Sequence, residues 1–209
     1  MRTATSPVEG RHPGGPSVGS ALLVAVAVGF GVGALTAYGQ GWLGDSTSSL
    51  ANSAGPWSLA AFVVARRSRQ VLPAVVAATA TLACCEVGYV VATEVRGGAN
   101  ATSTVVFWLT AAVLAGPPLG VAAAWSTRGG LLGPVGLAAI GGVLVGEGAY
   151  GWSTVADTTD WRYWAAETSI GVVVVAIVVA RSRRPATALA ATGTAALAAL
   201  VVFAAARAV

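Results

Sequence analysis

This sequence predicts an all-α, polytopic transmembrane bundle of about seven helices, and three observations predict it. Of 209 residues, 56% are apolar and only 10% are charged. A soluble domain carries roughly a quarter charged residues, so lipid is the expected solvent. The apolar residues fall in runs near the roughly 20 residues that cross a bilayer core. The chain has no lysine, and its 12 arginines lie in the polar tail, between the apolar runs or at their ends, as basic residues do in membrane proteins.

The tail Met1–Ser17 holds Pro7, Pro13 and Pro16 with several glycines and reads as disordered; residues 18–209 form the transmembrane domain. Val18–Tyr38 is the first run. Its polar leader is too long for a signal peptide, and Ala37-Tyr38-Gly39-Gln40 makes a poor cleavage site, so it reads as a retained anchor helix. Further runs cover Val71–Thr93, Thr104–Trp125, Leu131–Gly151, Tyr163–Ala180 and Ala186–Ala206. A seventh, Trp57–Ala65, is short. It spans only if the polar stretch Asp45–Gly55 belongs to the same helix; the other reading makes that stretch a surface loop capping a shorter helix.

Charge favours seven crossings. With the N-terminus in the cytoplasm, Arg2, Arg11, Arg66, Arg67, Arg69, Arg128, Arg181, Arg183 and Arg184 fall inside, and Arg96, Arg162 and Arg207 outside. This is the bias expected of an inserted protein, and it weakens if the short run does not cross. The C-terminus is then outside. Asp45, Glu94, Asp157, Asp160 and Glu167 fall on the outer side, where Trp42, Trp108, Trp152, Trp161 and Trp164 form an aromatic belt. The abundant Ala, Gly, Val and Pro, with Arg in place of Lys throughout, fit a GC-rich bacterial genome, and the location expected is the bacterial cell membrane.

An internal repeat organises the middle of the chain. Gly55–Tyr89 lies on Gly116–Tyr150 without a gap, pairing Pro56 with Pro117, Arg67 with Arg128, Pro73 with Pro134, Glu86 with Glu147 and Tyr89 with Tyr150. Each unit is a helix, an Arg-bearing turn and a helix carrying Glu-x-x-Tyr, so the repeat is a parallel one. The last two spans are a candidate third unit that lacks Glu-x-x-Tyr.

Absences exclude much chemistry. Without lysine there is no P-loop, no pyridoxal phosphate aldimine and no retinal Schiff base. The single histidine, His12, lies in the tail, which removes histidine triads, haem ligation and His-based zinc sites. Cys84 and Cys85 are sequence neighbours and cannot pair with each other. No cofactor is expected and no metal site. The basic residues form no nucleic-acid face. An intramembrane enzyme ranks lowest, since its one route is a pair of carboxylates sharing a proton.

The candidate site residues follow from what an apolar span tolerates. Glu86 and Glu147 are carboxylates inside spans, where ionisable groups face a bundle interior or a cavity. An acid at the outer boundary is also simply solvated, and for each Glu alone the two readings stand even. Ser46–Ser53 makes a polar outer half of the second span, and Pro56 and Pro117-Pro118 are expected to break two helices near mid-depth. Asn52, Trp57, Glu86, Tyr89, Glu147 and Tyr150 are therefore read as lining one outward-facing pocket. Gly29-x-x-x-Gly33, Gly116-x-x-x-Gly120 and Gly142-x-x-x-Gly146 are close-packing faces.

Leu50-Ala51-Asn52-Ser53-Ala54-Gly55-Pro56-Trp57-Ser58-Leu59-Ala60-Ala61-Phe62 and Val145-Gly146-Glu147-Gly148, with Phe107-Trp108 and Gly116-Pro117, resemble a family of uncharacterised bacterial membrane proteins known as a domain of unknown function. The resemblance covers most of the chain after the tail and implies a multi-pass helical bundle without naming an activity. That family carries Gly-Tyr-Tyr after the third span, whereas here Gly88-Tyr89 is followed by Val90.

Two functional readings result. One is a small-solute or ion transporter, or a subunit of one, with an outward-facing polar site. The other is a structural or accessory subunit, whose partner is another membrane protein or a second copy of this chain. Lipid is the surrounding partner in both.

Overall fold

The structure, a computed structural model, describes residues 18–44, 48–157 and 159–207, without the side chains of Ser48 and Asn52. The expected disordered tail Met1–Ser17 and the polar residues Asp45, Ser46 and Thr47 lie outside the described residues. The described chain is helical: α1 Val18–Trp42, α2 Ala54–Ala65, α3 Val71–Val95, α4 Thr102–Trp125, α5 Leu132–Tyr150, α6 Trp161–Arg181 and α7 Pro185–Arg207. A 3-10 turn at Ser48–Asn52 precedes α2, and a π turn at Gly151–Val155 extends α5. Six of the helices are long and apolar enough to cross a membrane; α2 is not.

Packing register gives the direction of each helix. Gly29 of α1 meets Thr81 and Cys84 of α3, Gly33 meets Cys85, and the Arg96 guanidinium just past α3 donates to the Ala37 carbonyl. Positions rise together, so α1 and α3 run parallel and α2 must carry the chain back between them. Its contacts agree. Gln40 Nε2 donates to the Ala51 carbonyl and Trp57 Nε1 to Thr36 Oγ1, while Val64 and Arg67 reach the level of Ser20 and Ala21. At about 1.5 Å per residue, α2 is a shortened return segment beginning below the end of α1.

The second span is thus a 12-residue helix, and the polar stretch before it is not its outer half. Ser48–Asn52 is a separate turn, and the helix starts after Ser53. Pro56 falls in the first turn of α2, where no intrahelical donor is lost and the fixed φ suits a helix start. The expected break at Pro56 is instead a beginning. Pro117 and Pro118 sit inside α4, which runs through them as one helix.

Close approach of backbones holds the bundle. The buried face of α1 is Ala21, Ala25, Gly29, Gly33 and Ala37, a four-residue stripe of small side chains against α3. Gly116 and Gly120 of α4 lie on Thr79 and Val75 of α3, and Gly142 and Gly146 of α5 on Ala195 and Ala199 of α7. All three Gly-x-x-x-Gly faces are helix contacts, as small residues are where lipid supplies no hydrophobic drive between helices. Odd-numbered helices run one way and even-numbered ones the other. Arg66, Arg67, Arg69, Arg128, Arg181, Arg183 and Arg184 therefore collect at one end, and Arg96, Arg162 and Arg207 at the other.

The repeat is visible in the element boundaries. At its offset Val71, the first residue of α3, falls on Leu132, the first residue of α5, and the ends of α2 and α4 agree within one residue. The first thirteen residues of α4 have no counterpart in α2, because their equivalents run from Gly41 at the end of α1 to Ser53 before α2. Trp42, Trp152 and Trp161 are exposed at the Arg-poor end, as a belt requires. Trp108 and Trp164 leave the expected belt: Trp164 is buried over Gly151, and Trp108 packs on Trp57.

The tightest of these contacts yields a sharp test. A methyl group on Gly33 would overlap the carbonyl oxygen of Cys85, whereas one on Gly31 meets nothing within 4 Å. Gly33→Ala should destabilise the detergent-solubilised protein by about 1–3 kcal/mol and lower its melting temperature. Gly31→Ala should leave it within error, and equal melting of the two variants would refute the α1–α3 register.

Candidate functional site

Ser53 organises the polar interior. As the N-cap of α2 in extended conformation, it turns its hydroxyl back on the helix and accepts from Gly55 N–H at 3.2 Å. The same oxygen accepts from Tyr163 OH of α6 at 2.8 Å and donates to Glu147 Oε1 of α5 at 3.0 Å. One proton and two lone pairs are thereby all used. Glu147 Oε1 also accepts from Ala54 N–H at 2.6 Å. A carboxylate and a hydroxyl together close the first turn of a helix that starts inside the protein, where its field favours negative charge.

Glu147 has a companion. Glu167 of α6 brings Oε1 to 3.5 Å from Ser53 Oγ, and both carboxylates crowd Gly55: a Cβ there would overlap Glu167 Oε1 and lie 3.0 Å from Glu147 Oε2. Glu147 is 8% exposed and Glu167 5%. No arginine reaches them, and Oε2 of each lacks a hydrogen bond among the described residues. Buried like charges of this kind are tolerable only with a proton or a cation between them. The sequence sets Glu167 among the acids of the outer side; the fold keeps it towards the Arg-poor end but buries it inside the bundle. It lies inside the apolar run Tyr163–Ala180, one helical turn beyond Tyr163, which also turns inward. That position was the available signal, masked by the polar flank Asp157–Arg162.

Glu86 serves a different space. It is 2% exposed and lines a partly open cavity of about 190 Å³ with Trp57, Tyr89, Trp108, Ser53 and Gln40. Thr36, Ala51 and Thr104 complete the wall. The exposed residues Gln40 and Thr104 lie two positions from the ends of α1 and α4 and mark a mouth at the Arg-poor end of the bundle. The aromatic side chains are pinned, Trp57 through Thr36 at 3.0 Å and Tyr89 through Gln40 Oε1 at 3.0 Å. Trp57 meets the rings of Trp108 and Tyr89 at centroid distances of 5.7 and 6.4 Å.

The six residues read from the sequence are thus divided. Trp57, Glu86 and Tyr89 share the cavity. Glu147 bonds to Ser53 and lies beside Glu167 at Gly55 instead of lining the cavity. Tyr150 is half-buried at the end of α5 and does not line the cavity. Asn52 ends the 3-10 turn beside it, and its side chain lies outside the described residues. Gln40, Thr104 and Trp108 were not read as site residues, because nothing in their own segments marks them.

Substitution at Glu147 separates capping from charge. Glu147→Gln retains an oxygen for Ser53 and Ala54 N–H, while Glu147→Leu leaves both donors buried and unpaired. The Leu variant should lose about 2–4 kcal/mol, from unsatisfied groups at roughly 1–3 kcal/mol each, and the Gln variant much less. Thermal unfolding in detergent reads the difference. A Leu variant as stable as the parent would remove the capping role.

Comparison with known proteins supplies a family and no activity. No curated protein matches the chain, and neither does any solved structure. One family does match, over residues 13–209, agreeing with the resemblance carried by the Asn52–Trp57 and Glu147 segments. The chain belongs to that family of unknown function, DUF6518.

Proposed function

We propose that the protein is a small-solute or ion transporter, or the solute-binding subunit of one, whose site opens to the outer face of the cell membrane. The observation that carries this reading is the cavity at the Arg-poor end, with the buried Glu86 in its wall. Irregular backbone at membrane depth is tolerated where it is buried in protein or lines a water-filled cavity. The turn before α2 and the cap at Ser53 border such a space. Interrupted helices of this sort form substrate sites in many transporters. The seven arginines at the opposite end support a cytoplasmic side there, and on this reading the N-terminus is inside and the C-terminus outside. The reading assigns no catalysis to the chain.

A second reading, a structural or accessory subunit, is favoured by Glu147. It is enclosed by Ser53, Ala54 and Glu167, so one of the two repeat-related carboxylates serves the fold. Access to the cavity decides between the two.

Cysteine labelling in intact cells, on a Cys84→Ala, Cys85→Ala background, tests both orientation and access. Positions 100 and 157 should react with an impermeant maleimide from outside, and 69 and 183 only after permeabilisation. Ala51→Cys, in the cavity wall, should react with a small charged thiosulfonate; Ala61→Cys, fully buried in α2 away from it, should not. An Ala51→Cys as inert as Ala61→Cys would leave the accessory reading in possession.

A further inference from the structure

We infer that the cavity beside Glu86 binds a compact organic monocation, an ammonium group of choline-like size, held by the Glu86 carboxylate and the rings of Trp57, Tyr89 and Trp108. The inference rests on the cavity being a solute site and names the chemical class it takes.

The lining selects the sign of the charge. Apart from the exposed Thr104 hydroxyl at the mouth, its neutral polar groups already bond to protein: Trp57 to Thr36, Thr36 to the Val32 carbonyl, Tyr89 to Gln40, Gln40 to the Ala51 carbonyl and Ser53 to Glu147. Among the described residues no arginine lines the cavity, and Arg96 is turned to the Ala37 carbonyl and the Tyr38 ring. The group left over is an acceptor, Oε2 of Glu86, which has no partner among the described residues. A buried carboxylate oxygen without a donor calls for a proton or a cation. An anion would meet a single exposed threonine hydroxyl and no positive charge among the described lining residues.

The rings select the kind of cation. Trp57 stands at 58° to Trp108 and 61° to Tyr89, so the three form a corner instead of a stack. Aromatic walls around one carboxylate attract alkylammonium groups through the ring quadrupole. A metal ion is the poorer fit. Hard cations take about six oxygens at short range, and no cluster of three or more metal-ligating side chains occurs among the described residues. The size agrees as well. A cavity of about 190 Å³ exceeds the engineered apolar cavities of about 150 Å³ that admit benzene. Its mouth at the membrane boundary admits the ammonium group of a free solute or of a lipid headgroup alike.

Choline and its uncharged isostere 3,3-dimethylbutan-1-ol separate charge from shape. The test is calorimetric titration of the full chain in maltoside detergent. Choline should bind saturably and at least about tenfold more tightly than the isostere. Glu86→Gln should abolish that preference, and Trp108→Leu should weaken choline by about 2- to 30-fold, the range of a cation–π contact. Equal binding of the two probes overturns the cation inference and leaves the solute site standing. Binding of neither, together with an unreactive Ala51→Cys, overturns both; binding of neither with a reactive Ala51→Cys overturns the cation inference alone. Diheptanoylphosphatidylcholine distinguishes the source: tighter binding than choline assigns the ammonium to a lipid headgroup, and weaker binding to a free solute. A choline preference that survives in Glu86→Gln also overturns the assignment.

Discussion

A helix that begins inside a membrane protein must find partners for its first amide groups in protein, and the start of α2 is where this one does so. Ser53 and Glu147 close the first turn, and the requirement draws in α5, which brings Glu147, and α6, which brings Tyr163 and Glu167. Three helices thus converge on one turn of backbone. A full-length second span would have ended at the water interface, with its amides solvated and no need for buried acids. The shortness of α2 and the burial of Glu147 and Glu167 are one fact seen from two sides.

The same shortening makes the cavity. The chain between α1 and α2 dips to the level of Gln40 and Ala51 and leaves the outer parts of α1, α3 and α4 without a helix between them. Trp57, Tyr89 and Trp108 furnish that gap while Glu86 faces it. Elsewhere the bundle is closed by small residues, so that α1 lies on α3 and α5 on α7 backbone to backbone. The contrast is functional in form: dense packing through the body of the protein, and one aromatic recess where the repeat is broken. Unit one has the short α2 where unit two has the longer α4, and Glu86 and Glu147, which correspond in sequence, accordingly differ in surroundings.

A division of labour between the two glutamates follows. Glu147 completes a helix end and is satisfied on one oxygen by a hydroxyl and an amide. Both keep a buried Oε2 without a partner among the described residues, costly for stability alone, but of the two only Glu86 lines the cavity. Groups left in that state inside apolar surroundings are where ligands act. The accessory reading accounts for Glu147 well and for Glu86 poorly, and so the proposal rests on Glu86.

By itself the sequence determined the solvent, the helical class, the six spanning lengths, the Arg-rich turns and the glycine contact faces. Each of these depends on residues close together in the chain: run length, local charge and four-residue spacing. It also marked Glu86 and Glu147, because a carboxylate in an apolar run stands out whatever surrounds it. Tertiary structure alone decided which polar groups meet. The helices are apolar around most of their circumference, so no periodic pattern distinguishes an interior face from a lipid face. Trp108 turned inward and Trp42 outward with equal sequence warrant. Glu167 reads from the sequence as one of the outer-side acids, because its polar flank masks the run it sits in and its partner lies on another helix. Whether Ser48–Ser53 continues a helix or caps one was likewise settled by Tyr163, Glu147 and Glu167, which supply the start of α2 with the hydrogen bonds and charge that water would otherwise provide.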